Sequence, residues 1–145
     1  MKATSIAVLG LGLFFIGVVS LVFQRSVLAN ILATQVVQVM AVLLMLWGRL
    51  TLGRRGFHAS AEATDGGIIN KGPYRYLRHP MYVSLLYFFW AGLFCHLSII
   101  NFGLTLIVTL GLFIRMWAEE HLVTQKYPEY KIYAKKAKII IPFIL

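Results

Sequence analysis

Charge is what this chain has least of. Asp, Glu, Lys and Arg make up 13% of its 145 residues, against roughly 25% in an ordinary soluble domain. With 59% hydrophobic residues and a mean hydropathy of +0.77, that shortage argues against a water-soluble globular fold. A single cysteine, Cys95, excludes an internal disulfide and a cysteine-rich metal site. It reads as an ordinary apolar side chain. No His-Glu-x-x-His, paired Cys or Asp-rich loop accompanies His58, His96 and His121, so no metal site is expected. Gly10-Leu11-Gly12 with Gly17 has neither the spacing nor the preceding strand of a dinucleotide loop. Small residues for close helix packing are the better reading. Internal repeats and low-complexity runs are also missing.

What remains is apolar and helical in length. Ile6 to Phe23 contains no charge, and at ~1.5 Å per residue it just crosses a hydrocarbon core of ~30 Å. A secretory signal competes for this run because Lys2 precedes it, but the run exceeds a typical signal core and no clear small-x-small site follows. A second run, Ile31 to Trp47, admits only Thr34, Gln35 and Gln38 as polar members, which are expected to face a neighbouring helix. Met81 to Cys95 is short and aromatic; Leu97 to Ala118 is broken only by Asn101 and by Arg115 near its end. The expected fold is all-α: an integral membrane bundle of about four transmembrane helices with a tight link between the last two. It forms one domain, 1–145, divided into an N-terminal helix pair (1–52), a loop (53–80), and a hairpin with a C-terminal helix (81–145).

The few charges are unevenly placed. Lys2, then Arg49, Arg54, Arg55, Lys71, Arg75 and Arg78, then Lys126, Lys131, Lys135, Lys136 and Lys138 fall at the N-terminus, the second connection and the tail. Only Arg25 lies in the first connection, and none lies between the third and fourth runs. By the positive-inside rule both termini and the central loop are cytoplasmic. The net charge of +9 then reads as an orientation and anionic-lipid signal rather than a nucleic-acid one.

Two stretches carry chemistry. The central loop begins with Gly53, Gly56 and the small run Ala59-Ser60-Ala61, passes Gly66-Gly67, and returns to the bilayer through Gly72-Pro73-Tyr74-Arg75-Tyr76-Leu77-Arg78-His79-Pro80-Met81-Tyr82. Pro73 and Pro80 each impose extended or turn geometry on the residue before, and Pro80 suits the first turn of a helix. Arg78 and His79 therefore stand at a helix entrance, where an anionic group is favoured. In the fourth run, Arg115 and Glu119 share a helix face while Glu120 points about a hundred degrees away. An isolated Arg–Glu pair at a helix end is more often structural than functional. Beyond it, Tyr127 to Lys138 restarts as an amphipathic helix at Pro128, with Tyr130, Tyr133, Ala134 and Ala137 on one side and Lys131, Lys135 and Lys138 on another. It is either an interfacial anchor or a lid over a site.

These motifs together resemble the isoprenylcysteine carboxyl methyltransferase family, with its relatives the membrane phospholipid N-methyltransferases. The elements in order are Gly72-Pro73-Tyr74, Arg78-His79-Pro80-Met81-Tyr82, Arg115 before Glu119-Glu120, and Tyr127 to Tyr133. The resemblance spans roughly residues 66 to 145. It implies a membrane methyltransferase that binds S-adenosylmethionine without a Rossmann domain and methylates a carboxylate or amine of a lipid-like or prenylated acceptor. By matching position it implies Tyr74, Arg78, His79, Tyr82, Glu119 and Glu120 as cofactor-binding residues, and Arg115 and Glu119 as catalytic ones. A carboxylate acceptor needs no base and Arg115 would hold it; an amine acceptor must be deprotonated, which gives Glu119 or His121 work. The chain departs from the family pattern in having Ser84 where members commonly have Gly, and in having fewer membrane helices than eukaryotic members. The latter argues for a small lipid-like acceptor over a prenylated protein tail.

Two other readings stand beside this one. A sterol-type reductase using NADPH shares a similar Arg-His-x-x-Tyr turn, but its usual Asn before the tyrosine is replaced by Met81. A non-enzymatic four-helix membrane protein would use the same charges as helix-end anchors. A transporter usually places an ionisable group near the bilayer midplane, and the interiors of these runs hold none.

Overall fold

A computed structural model describes residues 3–53 and 67–140 of the chain. Lys2, Arg54, Arg55, Gly56, His58, the Ala59-Ser60-Ala61 run and Gly66 lie outside the described residues. The described elements are α1 (Ala3–Phe23), α2 (Leu32–Leu52), a 3-10 turn (Gly72–Arg75), α3 (Pro80–Cys95), α4 (Ile99–Lys126) and α5 (Tyr130–Lys136). The fold is the expected helical bundle. Three of the helices, α1, α2 and α4, are long and apolar enough to cross a membrane. With 16 residues, α3 is only about 24 Å long and falls short of a full core thickness.

Local sequence sets most of the boundaries. Pro80 occupies the first turn of α3, where its missing N–H costs nothing. Ser98 caps α4 by accepting the Asn101 N–H at 3.1 Å. The end of α4 differs from expectation. The apolar run stops at Ala118, yet the helix continues to Lys126, because nothing from Glu119 to Gln125 breaks a helix and the first proline comes at Pro128. Glu119 and Glu120 therefore sit well inside a rigid helix rather than at its frayed end.

In space the helices follow the order α2, α3, α4, α1: α2 packs on α3, α3 meets α4, and α1 lies along α4. Leu21, Leu86, Phe89, Val108, Leu112 and Met116 form the main core between α1, α3 and α4. Phe14 reaches Phe89 edge-to-face, with ring centroids 6.2 Å apart. The opposite faces of α1 and α2 expose Val8, Leu9, Phe15, Ile16, Val39, Met40 and Leu43, a surface that suits lipid and not water.

Lipid tails are as apolar as leucine, so helices in a bilayer associate through close fit. The α1–α4 seam is built that way. A Cβ on Gly10 would stand 2.8 Å from the Gly111 carbonyl oxygen and 3.1 Å from the Arg115 nitrogen, while one on Gly111 would stand 2.7 Å from the Gly10 oxygen. Gly12, two residues on, has nothing within 4 Å; of the early glycines it plays no part in packing.

At the end of the bundle away from α5, the polar residues of α2 behave largely as expected. Buried Gln38 accepts the Ala29 N–H at 2.9 Å and donates to the carbonyls of Val27 (2.7 Å) and Phe88 (3.1 Å). Thr34 meets Cys95 at 2.8 Å, so this cysteine has a polar partner that the sequence reading did not foresee. Gln35 bonds the Ala29 carbonyl from an exposed position.

Replacing Gly10 with Leu is expected to destabilise the protein by about 1–3 kcal/mol or force the α1–α4 seam apart, while Gly12→Leu stays within about 0.5 kcal/mol of wild type. Thermal unfolding of both variants in detergent checks this; equal stability would mean that the seam does not hold α4.

Candidate active site

The site is assembled where α3 begins and α4 nears its end. The 3-10 turn places Pro73 and Tyr74 inside. Gly72 is required there twice over: its φ is +54°, and a Cβ would come within 2.6 Å of Thr51 Oγ1 on α2. After the turn the chain bends at Arg78 and enters α3 through His79, and the side chains of Arg78 and His79 reach across to α4.

Glu120 receives both of them. Arg78 Nη1 donates to Glu120 Oε1 at 2.8 Å, and His79 Nε2 lies 3.1 Å from the same oxygen. One turn further along α3, the Tyr82 hydroxyl donates to Glu119 Oε1 and accepts from Arg115 Nε at 2.7 Å. Arg115 Nε also lies 3.4 Å from Glu119 across one turn of α4, and His79 Nδ1 lies 3.8 Å from Glu119 Oε2. Two arginines thus face two carboxylates, with a histidine between the carboxylates. His79 and Arg115 are buried, and the two glutamates keep about a quarter of their side-chain surface exposed. Such a cluster is tolerated at low dielectric because each charge has an opposite neighbour.

One donor is left over. Arg78 Nε is buried and has no hydrogen-bond partner among the described residues. A buried guanidinium N–H without an acceptor is costly, and an incoming anionic oxygen would remove that cost.

A clasp from the C-terminal segment closes over the cluster. The buried Tyr133 hydroxyl donates to the Tyr74 carbonyl at 2.6 Å and lies 3.4 Å from the Leu77 carbonyl. Leu77 and Lys138 form a parallel bridge, in which the Arg78 N–H donates to the Lys138 carbonyl (2.7 Å) and the Lys138 N–H to the Tyr76 carbonyl (2.9 Å). Tyr130, Tyr133 and Ala137 pack together against Ile68 and Val123. Burial pushes the Tyr130 phenol well above its ordinary range, with Glu120 adding to the rise. Burial likewise raises Tyr74, with Glu119 adding to the rise and Arg49 opposing it.

Arg78, His79, Tyr82, Arg115, Glu119 and Glu120 are therefore brought into one network, whereas buried Tyr74 stands beside it, its carbonyl held by Tyr133 and its phenol raised in part by the Glu119 charge. His121 is not part of it. Its ring stacks on Trp117 at 5.6 Å, bonds Gln125 at 2.9 Å, and is exposed, because residue 121 points away from the α3 side of the helix. Ser84 is buried and returns its hydroxyl to the Met81 carbonyl at 2.7 Å, so it offers the site nothing. Two residues escaped the sequence reading. Arg49 was read only as an orientation charge, and nothing in the chain order signals its electrostatic influence on Tyr74. Tyr133 was read as an interfacial aromatic; its inward position on the amphipathic helix was the available signal.

Burial raises the Tyr133 phenol from 10.0 to about 12, with Arg78 opposing and Glu120 reinforcing. A raised phenol contributes stability that is complete below pH about 10 and is lost as pH climbs through about 12. Tyr133→Phe is expected to lower stability by about 1–2 kcal/mol at neutral pH. In that variant the alkaline decline between these limits is shallower by about 1.4 kcal/mol per pH unit, as read by unfolding titrations of both proteins. An unchanged alkaline slope would show that this hydroxyl does not hold the clasp.

No curated protein and no solved structure matches the chain significantly. A family model does: the phospholipid methyltransferase model matches residues 29–130, from the start of the second helix region through the Arg-His-Pro turn and the Glu-Glu pair to the first residue of α5. That family shares a membrane methyltransferase superfamily with the isoprenylcysteine carboxyl methyltransferases, and it is the family of the relatives, not the isoprenylcysteine enzymes themselves, that is matched. With most of its length covered, and its charged cluster lying inside the matched region, this chain belongs to the phospholipid methyltransferase family of membrane methyltransferases.

Proposed function

We propose that the protein transfers a methyl group from S-adenosylmethionine to a lipid-like acceptor at the cytoplasmic face of a membrane that it crosses several times. The observation that carries this reading is the two-arginine, two-glutamate cluster at one end of an apolar bundle, holding a buried arginine N–H with no acceptor. The family's description supports a phospholipid as the acceptor. A small acceptor also suits a bundle of this size better than a prenylated protein tail. The orientation is supported by the charges: Arg49, Lys71, Arg75, Arg78 and the tail lysines lie at the site end, whereas the opposite end carries Arg25 alone among the described residues.

The residues present fit the cofactor. Arg78 Nε is an unfilled donor for an α-carboxylate oxygen. Glu120 and Glu119 are the acceptors for an α-ammonium, and the same carboxylates would balance a sulfonium charge. When bound, S-adenosylmethionine supplies an electrophilic methyl group on sulfur. The protein's own work is positioning and charge control. Arg115, locked to Tyr82 and Glu119, orients an anionic oxygen of the acceptor. Glu119, partly exposed, takes the proton that an amine acceptor must lose before its nitrogen attacks; a carboxylate acceptor leaves that step out. Tyr133 and the Leu77–Lys138 bridge brace the turn that carries Arg78.

Purified protein in detergent is expected to unfold at higher temperature with S-adenosylmethionine or S-adenosylhomocysteine and not with NADPH, by about 2.7 kcal/mol at a hundredfold excess over Kd. Glu120→Gln, which leaves Arg78 without its partner, is expected to weaken that binding about tenfold or more. Glu119→Gln is expected to lower methyl transfer about 100-fold or more with an amine acceptor. Stabilisation by NADPH alone, in well-folded protein, would refute the methyltransferase reading.

A further inference from the structure

Among the described residues, the outward face of α5 is exposed. Lys131 and Lys135 form one row along the helix and Ile132 and Lys136 the next; all four are exposed, Ile132 to 64%. The inward face is fully used by Tyr130, Tyr133 and Ala137. Exposed Lys71, Arg75 and Lys126 lie on the same end of the bundle, and the acidic side chain beside the lysines is exposed Glu129. An apolar side chain set among lysines is the pattern of a helix lying in a headgroup layer.

The strap after α5 fixes the level of this face. Only Tyr127, Pro128 and Glu129 separate α5 from α4, so α5 lies close to where α4 leaves its apolar stretch. The chain then turns back along α3: Ile139 enters the main core, and the Tyr87 hydroxyl donates to the Ile140 carbonyl at 3.1 Å. Tyr87 is two turns into α3, about 10 Å below its start. The clasp is thus anchored on the membrane side, which keeps α5 and its lysines at the bilayer surface. The seven-residue helix is too short to be stable alone. Its order rests on the Tyr133 bond, the Leu77–Lys138 bridge and one small aromatic cluster.

We propose that Lys131, Ile132, Lys135 and Lys136 dock on anionic lipid headgroups of the membrane the protein occupies, and that this docking holds the C-terminal clasp shut over the Arg78–Glu120 pair. An anionic lipid that binds only the ordered helix stabilises it by mass action. Because the inner face of the same helix braces the turn bearing Arg78, cofactor affinity rises with it. The coupling to cofactor rests on the function proposed above; the docking does not.

Two measurements on the full chain in lipid nanodiscs separate these claims. Amide hydrogen exchange over residues 130–140, without cofactor, is compared between discs of phosphatidylcholine alone and discs of phosphatidylcholine mixed with phosphatidylglycerol. Slower exchange on the anionic discs, reversed by high salt and absent in a Lys131→Gln, Lys135→Gln, Lys136→Gln triple variant, supports docking; equal exchange on both discs overturns it. S-adenosylhomocysteine affinity is then titrated in both discs, with an expected gain of about fivefold or more on the anionic ones that the triple variant loses. Equal affinity alongside slowed exchange overturns the coupling. Absence of binding in either disc instead refutes the cofactor reading and leaves the exchange result to decide docking.

Discussion

Everything at the functional end of this molecule depends on pairing charge between α3 and α4. Ionised side chains near the mouth of an apolar bundle lose much of their hydration, and only opposite charges at hydrogen-bond distance make that loss bearable. Glu120 meets Arg78 and His79, and Glu119 meets Tyr82 and Arg115. Arg78 and His79 at the entrance of α3, with Tyr82 inside it, face the two carboxylates and Arg115 of α4, so each side of the cluster satisfies polar groups on the other. The same electrostatics that hold the helices together leave Arg78 Nε without an acceptor.

That pairing requires α4 to be held in one place along its length, and the requirement explains the role of α1. Its small face lets the backbones of Gly10 and Gly111 touch, and the Gly10 position also abuts the Arg115 nitrogen. The far end of the bundle is pinned separately by Gln38, which ties the α1–α2 connection to α3. Neither contact belongs to the charged cluster. Together they fix the two helices that do, one by close backbone fit and the other by buried hydrogen bonds.

The helix class and most run boundaries were legible because they rest on local pattern, apolar length and proline position, and spacing of four along a helix gave the Arg115–Glu119 pair; the grouping of Arg78, His79, Tyr82, Arg115, Glu119 and Glu120 came from the order of motifs shared with a known family. The continuation of α4 to Lys126 was not legible, since hydropathy marks where a helix leaves an apolar medium and not where its hydrogen bonds end. One long-range contact was equally hidden. Tyr133 donates across 59 residues of chain to Tyr74, which depends on how separate elements dock. His121 failed for the opposite reason. Adjacency to Glu120 in sequence suggested adjacency in space, yet neighbouring helical residues diverge by about a hundred degrees.

A reaction between a water-soluble cofactor and a lipid-borne acceptor has to occur where both can reach, and the membrane surface is the one such place. In the function proposed above, the ends of the chain's own apolar helices supply that place. The carboxylates stand on a rigid helix and the arginine–histidine pair at the entrance of α3, so geometry is set by bundle packing and not by a flexible loop. The cost is an open end facing water, which would hydrate every charge and weaken every attraction there. The clasp at that end uses little material: one buried tyrosine hydroxyl, one bridge between Leu77 and Lys138, and a seven-residue helix. Under the function proposed above, a cover of this size opens to release product and readmit cofactor while Ile139 and the Tyr87–Ile140 bond keep its far end in place.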